Sequence, residues 1–358
     1  MNKIIKRGVS IVLSLSLIGT MSMTAFADSS DVSLSEDDLS PFIKQVIKEE
    51  NMGQIKEKHT LYGANGEVNA YCLDFKNGYL IYDTNGEIVE YCETATSPLD
   101  DVEERVYYTG PFDYYVRELG KFENVASGES ISTNQLIAES KTFNSIANAS
   151  DNKAVVFSSD DGDDDDDNII AGATNLKKVK TALKNKPRTL ALYDGIGNCG
   201  AVASTTLLLY YYDYIDSGII KKTYANNPVK LCNYLYTYMT EKKASYDQLV
   251  AALSSSEISN KTISPTIKKG MSTVQKTWNA YHYLVKTNSK PAILLLQNHP
   301  TYINHWVVTY GVIAYYNSDG KIVKRQYVVN NCLDNGANGT SKNDIKISCK
   351  YVNGFIHI

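Results

Sequence analysis

From Pro41 to Glu50 the apolar positions fall at helical spacing, with Phe42, Val46 and Ile47 on one face and Lys44 and Lys48 outside, so a short amphipathic helix is predicted. The period then changes. Residues 70–75, 79–82 and 88–91 alternate apolar and polar positions and are separated by Lys76-Asn77-Gly78 and Thr84-Asn85-Gly86, which predicts a three-strand meander with Asn-Gly turns. Beyond Pro98 the mix of tyrosines and acids, with Tyr107-Tyr108 and Tyr114-Tyr115, predicts packing without a chemical role. A helix is predicted from Cys199 through Tyr212, approached by glycines at 195, 197 and 200 and started by Asn198 as N-cap; small residues at 201, 203 and 204 allow close packing of its first turn. Residues 306 to 313 fit a buried strand that His305 opens. Asn317-Ser318-Asp319-Gly320 is a hairpin turn signal, and the returning strand, Val323 to Val329, ends in Asn330-Asn331-Cys332.

These elements place chemistry-bearing residues together. With Ser318 and Asp319 as a two-residue turn, His305 faces Cys332, Asn330 is the diagonal neighbour on the same face, and Asn331 points the other way. A single bulge exchanges the two asparagines. A thiol at the mouth of a helix feels the positive end of the helix dipole and unpaired N–H groups, both of which favour thiolate. The alternative reading of Cys199 is a small buried core residue, and that of His305 a satisfied core histidine. Their occurrence in chain order with an asparagine on the paired strand points to nucleophilic catalysis: Cys199 attacks a carbonyl, His305 carries the proton, and Asn330 orients the ring. Asn331 and Asp334 are the alternative third members. The Cys199 N–H is one oxyanion donor and Asn198 the side chain that serves beside it, unless Asn198 is a plain cap.

This order resembles the papain-like cysteine peptidase superfamily, and in detail its bacterial C39-like and streptopain-like branches. Asn198 to Ala203 is similar to their Asn-Cys-Gly-small-small start, His305 to Gly311 to their His-aromatic-Val-Val strand, and Tyr327 to Asn330 to their closing strand. The resemblance covers residues 185 to 358. Tyr193 stands where the superfamily usually carries Gln, and Cys332-Leu333-Asp334 where it commonly carries Gly-Trp-Gly. The resemblance implies an α+β, papain-like fold: a helical subdomain bearing Cys199 and an antiparallel sheet bearing His305 and Asn330, preceded by a small α+β pro-region. It implies hydrolysis of polypeptide substrates without metal or cofactor. A peptidoglycan amidase with the same Cys–His order and a catalytically inactive surface-binding module are the other readings.

Composition sharpens the division of the chain. Lys3, Lys6 and Arg7, the apolar stretch from Val9 to Ile18 and Ala25-Phe26-Ala27 read as a signal peptide over residues 1–27, so a secreted protein, extracellular or wall-associated, is expected, with no integral membrane segment after cleavage. Residues 28 to 167 hold 10 Lys/Arg against 31 Asp/Glu, a net of −21, and residues 168 to 358 hold 23 against 9, a net of +14. The halves should attract. An acidic pro-region or N-terminal domain (28–157), an Asp-rich linker (158–168) and a basic peptidase domain (169–358) are therefore expected, the first acting as partner and inhibitor of the last or as a permanently associated domain. The aspartate run lacks the alternating ligands of a calcium loop. Scattered lysines without interleaved aromatics argue against nucleic acid but allow an anionic cell wall as a partner. Six cysteines, one of them needed as a thiol, are expected to remain largely reduced, although Cys332 and Cys349 flank a loop that a bridge would close. His59, His282, His299 and His357 have no matching partner segment and read as surface or core residues.

Overall fold

In a computed structural model, the structure describes residues 39–148, 176–188, 190, 199–239, 244–268, 290–296, 305–332 and 344–358. The expected signal peptide and Asp-rich linker lie outside them. Leu39–Ile358 forms one compact unit. It is mixed α+β, with six α-helices and one large sheet among the described residues. No described helix is long and apolar enough to cross a membrane.

The acidic half opens with α1 (Pro41–Glu49). Ser40 caps it by accepting a hydrogen bond from the Ile43 amide at 3.3 Å, and Pro41 at its first position needs no donor there. Its apolar face buries Ile43, Val46 and Ile47, each contributing about 2 kcal/mol by removal from water. The predicted meander is present as β2 (Val68–Phe75), β3 (Tyr79–Asp83) and β4 (Ile88–Cys92), with β1 (Ile55–Tyr62) added in front. The Asp83 carboxylate closes the β3–β4 turn by accepting from the amides of Asn85 and Glu87, while Gly86 supplies φ +76°. Beyond it follow β5 (Tyr107–Gly110), β6 (Asp113–Glu118), β7 (Lys121–Asn124), β8 (Ser130–Ile131) and the helix α2 (Thr133–Asn148).

The basic half begins with β9 (Lys177–Ala182) and α3 (Cys199–Tyr214). Residues 199 to 211 of α3 are buried all round, which makes it the central core helix. Its buried Thr205 hydroxyl is satisfied by donating to the Ala201 carbonyl at 2.8 Å. Shorter helices pack around it, α4 (Lys222–Ala225), α5 (Pro228–Tyr236) and α6 (Tyr246–Leu253). Gly200 is a helical residue and not part of a flexible approach: a Cβ there would lie 2.5 Å from that of Ala244, so the glycine admits the segment that leads into α6. The strands β10 (Thr266–Lys268), β11 (Ala292–Leu296), β12 (His305–Tyr316), β13 (Ile322–Asn330), β14 (Ile345–Ser348) and β15 (Val352–His357) complete the sheet, in the order β10-β15-β11-β12-β13-β14-β4-β3-β2-β1-β5-β6-β7-β8, with β9 on β12.

The two halves share this sheet through the antiparallel β14–β4 contact, where Lys346 faces Tyr91 and Ile347 faces Glu90. Charge complementarity operates along the same seam. Lys178 pairs with Glu50, Lys324 with Glu87, Lys346 with Glu93 and Lys350 with Asp83, each cation from the basic half and each carboxylate from the acidic half. Lys346 is 1 % exposed, and its buried ammonium is paired with the Glu93 carboxylate. Burial opposes the Glu50 charge, but Lys178 and the Tyr91 hydroxyl outweigh it and hold the carboxyl below its ordinary range. Phe42 meets Tyr315 edge to face at 5.0 Å across the same boundary.

The β12–β13 hairpin departs from the two-residue turn. Its loop is Ser318-Asp319-Gly320, closed by the Asn317 amide on the Lys321 carbonyl at 2.9 Å, with Gly320 at φ +78°. Register irregularities follow at Tyr315/Tyr316 and Thr309/Gly311, so Val308 faces Asn330 and Thr309 faces Val329. The pairing at the site end is therefore shifted by one residue from the expected one, and a shift of one exchanges faces.

Candidate active site

Cys199 is the first residue of α3, and its thiol meets the backbone N–H groups of Gly200 and of Trp306, the residue after His305. The structure thus brings the expected nucleophile to the start of the strand that carries the expected base. Trp306 fixes that strand end. Its indole N–H donates to the Ala244 carbonyl at 3.0 Å, and its ring meets Tyr246 edge to face at 5.1 Å, which ties β12 to the entrance of α6. His305 itself pairs with Leu296 of β11.

The imidazole Nε2 lies 3.0 Å from the Asn331 backbone carbonyl. A carbonyl can only accept, so Nε2 carries the hydrogen and Nδ1 is left as the basic nitrogen. The side chain of Asn330, expected to orient the ring, is engaged elsewhere. Its Oδ1 accepts from the Cys332 amide at 2.9 Å and its Nδ2 donates to the Arg188 carbonyl at 3.4 Å. The shifted register explains this, because it takes Asn330 off the His305 face. Asn330 instead closes a tight Asx-type turn at the end of β13, with Cys332 at φ +56°, and the turn aims the Asn331 carbonyl at the histidine. Of the two asparagines, 331 supplies the contact, by its backbone, and 330 shapes it. Arg188 is in turn held by Asp213 of α3, so the turn is tied to the helix that begins at Cys199. Asn198 and Asp334 lie outside the described residues, as do Tyr193, His282 and His299.

Electrostatics at the pair differ from the expectation for an exposed helix terminus. Burial pushes the Cys199 thiol up to about 12, Glu129 and Asp113 add to the rise, and the Trp306 and Gly200 amides oppose it. Burial likewise pushes His305 down to about 4, against the Asn331 hydrogen bond. At neutral pH both groups are uncharged, because desolvation outweighs the helix dipole. None of the six cysteines, Cys332 and Cys349 included, is in a disulfide. Among the described residues no group of three or more His, Cys, Asp or Glu side chains is arranged to hold a metal ion.

Among the described residues, the acidic half places Phe112 against His305. The Phe112 ring lies 5.5 Å from the His305 ring, tilted by 57°, at the turn between β5 and β6. Phe112 is held at φ +69° by its amide on Glu90, at 3.0 Å, and by Asn124 Nδ2 on its carbonyl, at 2.8 Å. The sequence signal for this hairpin was the Gly110-Pro111-Phe112-Asp113 turn between two tyrosine pairs, but nothing local connects it to a histidine nearly two hundred residues away.

No family model and no curated protein matches this chain. Among solved structures it is similar to a fragment of Prevotella intermedia prointerpain A, with 11% sequence identity and a TM-score of 0.38, over 84% of this chain and 97% of that one.

Proposed function

We propose that the chain is the latent precursor of a secreted cysteine peptidase of papain-like type. The observation that carries this reading is the apposition of Cys199, at the start of α3, to the strand end bearing His305, whose Nε2 is fixed on Asn331 and whose Nδ1 is left basic. In the open site His305 takes the Cys199 proton and the thiolate adds to a peptide carbonyl. The Cys199 N–H, in the first turn of α3 where intrahelical acceptors are missing, donates to the oxyanion. Collapse of the tetrahedral intermediate passes the proton from His305 to the leaving amine, and water attacking the acyl-thioester, with His305 again as base, restores the thiol. Orientation falls to the Asn331 carbonyl, with Asn330 as a positioning residue. Latency follows from Phe112 over His305 and from the buried, protonated Cys199.

The test is hydrolysis of a denatured protein substrate by the full chain before and after limited cleavage in the Asp160–Asp167 run. Activity that appears on cleavage and is abolished by Cys199→Ala and by His305→Ala supports the reading. Hydrolysis surviving either substitution overturns it, as does a cleaved chain that acts on peptidoglycan and not on protein.

A further inference from the structure

Three carboxyls of the acidic half surround the hairpin that covers the pair. Glu90 of β4 is fully buried, Glu139 of α2 is 4 % exposed, and Asp113, the residue after Phe112, is partly buried. Glu90 accepts from the Phe112 amide at 3.0 Å and from the Tyr114 hydroxyl, so one carboxyl grips both sides of the turn. Asp113 accepts from the Tyr115 hydroxyl at 3.4 Å. Glu139 accepts from Thr109 Oγ1 at 3.2 Å, and the Tyr115 hydroxyl also faces it.

We propose that Glu90, Asp113 and Glu139 make the hold of the β5–β6 hairpin on Cys199 and His305 proton-dependent, closed in acid and released as pH rises. This rests on the latent-precursor reading of the site. The groups facing Glu90 are the Phe112 amide, the Tyr79, Tyr108 and Tyr114 hydroxyls, the Cys72 thiol and Asp113. Those facing Asp113 are Glu139, Glu129, Glu90 and Tyr115; those facing Glu139 are Thr109, Tyr115, Glu129 and Asp113. Among the described residues each main interaction is with a hydroxyl, an amide, a thiol or another acid. Ionisation here therefore places negative charge in a poorly hydrated site with no Lys, Arg or His countercharge among those residues.

Burial pushes Glu90 up to about 8, against the Phe112 amide and Tyr79, and burial together with Glu129 takes Glu139 to about 8. Burial, followed by Glu139, Glu129 and Glu90, raises Asp113 well above the carboxylate range. The sign is the same for all three. Their contribution to the closed state is complete below the ordinary carboxyl value and is lost as pH rises through the raised one, so release is expected between about pH 4.5 and 8. Opening hydrates the carboxylates, uncovers His305 and removes Asp113 from the Cys199 thiol.

The test is hydrogen exchange at Phe112–Tyr115 in the full chain from about pH 5 to 9, corrected for the intrinsic pH dependence of exchange. Protection should fall about tenfold or more over that range while β12 stays protected, and Glu90→Gln with Glu139→Gln should flatten the profile. Protection that does not change with pH, or a double variant as pH-dependent as the parent, overturns the proposal. If the double variant loses β12 protection and so its fold, Asp113→Asn alone decides in the same way. Epoxide labelling of Cys199 in the same samples separates this inference from the reading it rests on. Hairpin release without labelling of Cys199 supports the proton latch and overturns the peptidase; labelling that rises in Phe112→Ala while protection stays flat with pH overturns the latch alone.

Discussion

Both halves of the molecule bury ionisable groups, but they satisfy them differently. Along the seam lysines of the basic half meet carboxylates of the acidic half, as Lys346 meets Glu93 and Lys178 meets Glu50. Around the β5–β6 hairpin the acids Glu90, Asp113 and Glu139 meet hydroxyls, amides and one another. The seam is thus matched in charge, while the hairpin is stable only where its carboxyls keep their protons. One set of contacts holds the halves together and the other covers the reactive pair, so docking and covering can respond to different conditions.

The largest expected effect tests the seam. Lys346→Ala leaves Glu93 without its buried cation and should cost about 3 kcal/mol, read as a fall in the denaturant midpoint. A change within error would mean that the seam is held by strand pairing and apolar contact, and the contrast with the hairpin would disappear. A smaller effect separates the two asparagines on the site side. Asn330→Ala removes the hydrogen bond that closes the turn and should cost about 1 kcal/mol and shift the His305 ring resonances, whereas Asn331→Ala keeps the carbonyl on His305 and should leave those resonances in place. A shift in Asn331→Ala and none in Asn330→Ala would assign the orienting role to the Asn331 side chain instead.

The smallest effect concerns His59, which the Asp74 hydrogen bond raises against the opposing effect of burial. Its stabilisation is complete below about 6.5, the ordinary histidine value, and is lost as pH rises through the raised one. The stability difference between the parent and His59→Gln should therefore be present at about pH 5.5 and shrink by about pH 8.5. A difference that grows with pH would contradict the acid-favoured character of this half.

The parts legible in the sequence were those carried by local pattern. The Pro41–Glu50 period, the Asn-Gly turns and the small residues after Cys199 each specify an element without reference to the rest of the chain. The Cys–His apposition was readable as well, because helix start and strand start are local signals. The face of Asn330 was not, since the three-residue loop sets it, the two register irregularities between loop and site offsetting each other. The protonation of Cys199 was also illegible: the helix terminus argued for thiolate, and the deciding burial comes from a different part of the chain. Phe112 and its carboxyls were missed for the same reason, as long-range packing gives such residues a role that their neighbours in sequence do not announce.

The central claim is that Cys199 and His305 form a nucleophile pair kept inactive by the acidic half. Labelling by an epoxide that traps cysteine nucleophiles, mapped by mass across all six thiols, tests it in three full-length chains: the parent, Phe112→Ala, and Phe112→Ala with His305→Ala. At about pH 5, where the β5–β6 hairpin is closed, little label is expected in the parent, at least about tenfold more in Phe112→Ala, confined to Cys199, and loss of that gain without His305. Equal labelling of parent and Phe112→Ala, or label spread over the other cysteines and indifferent to His305, would contradict it.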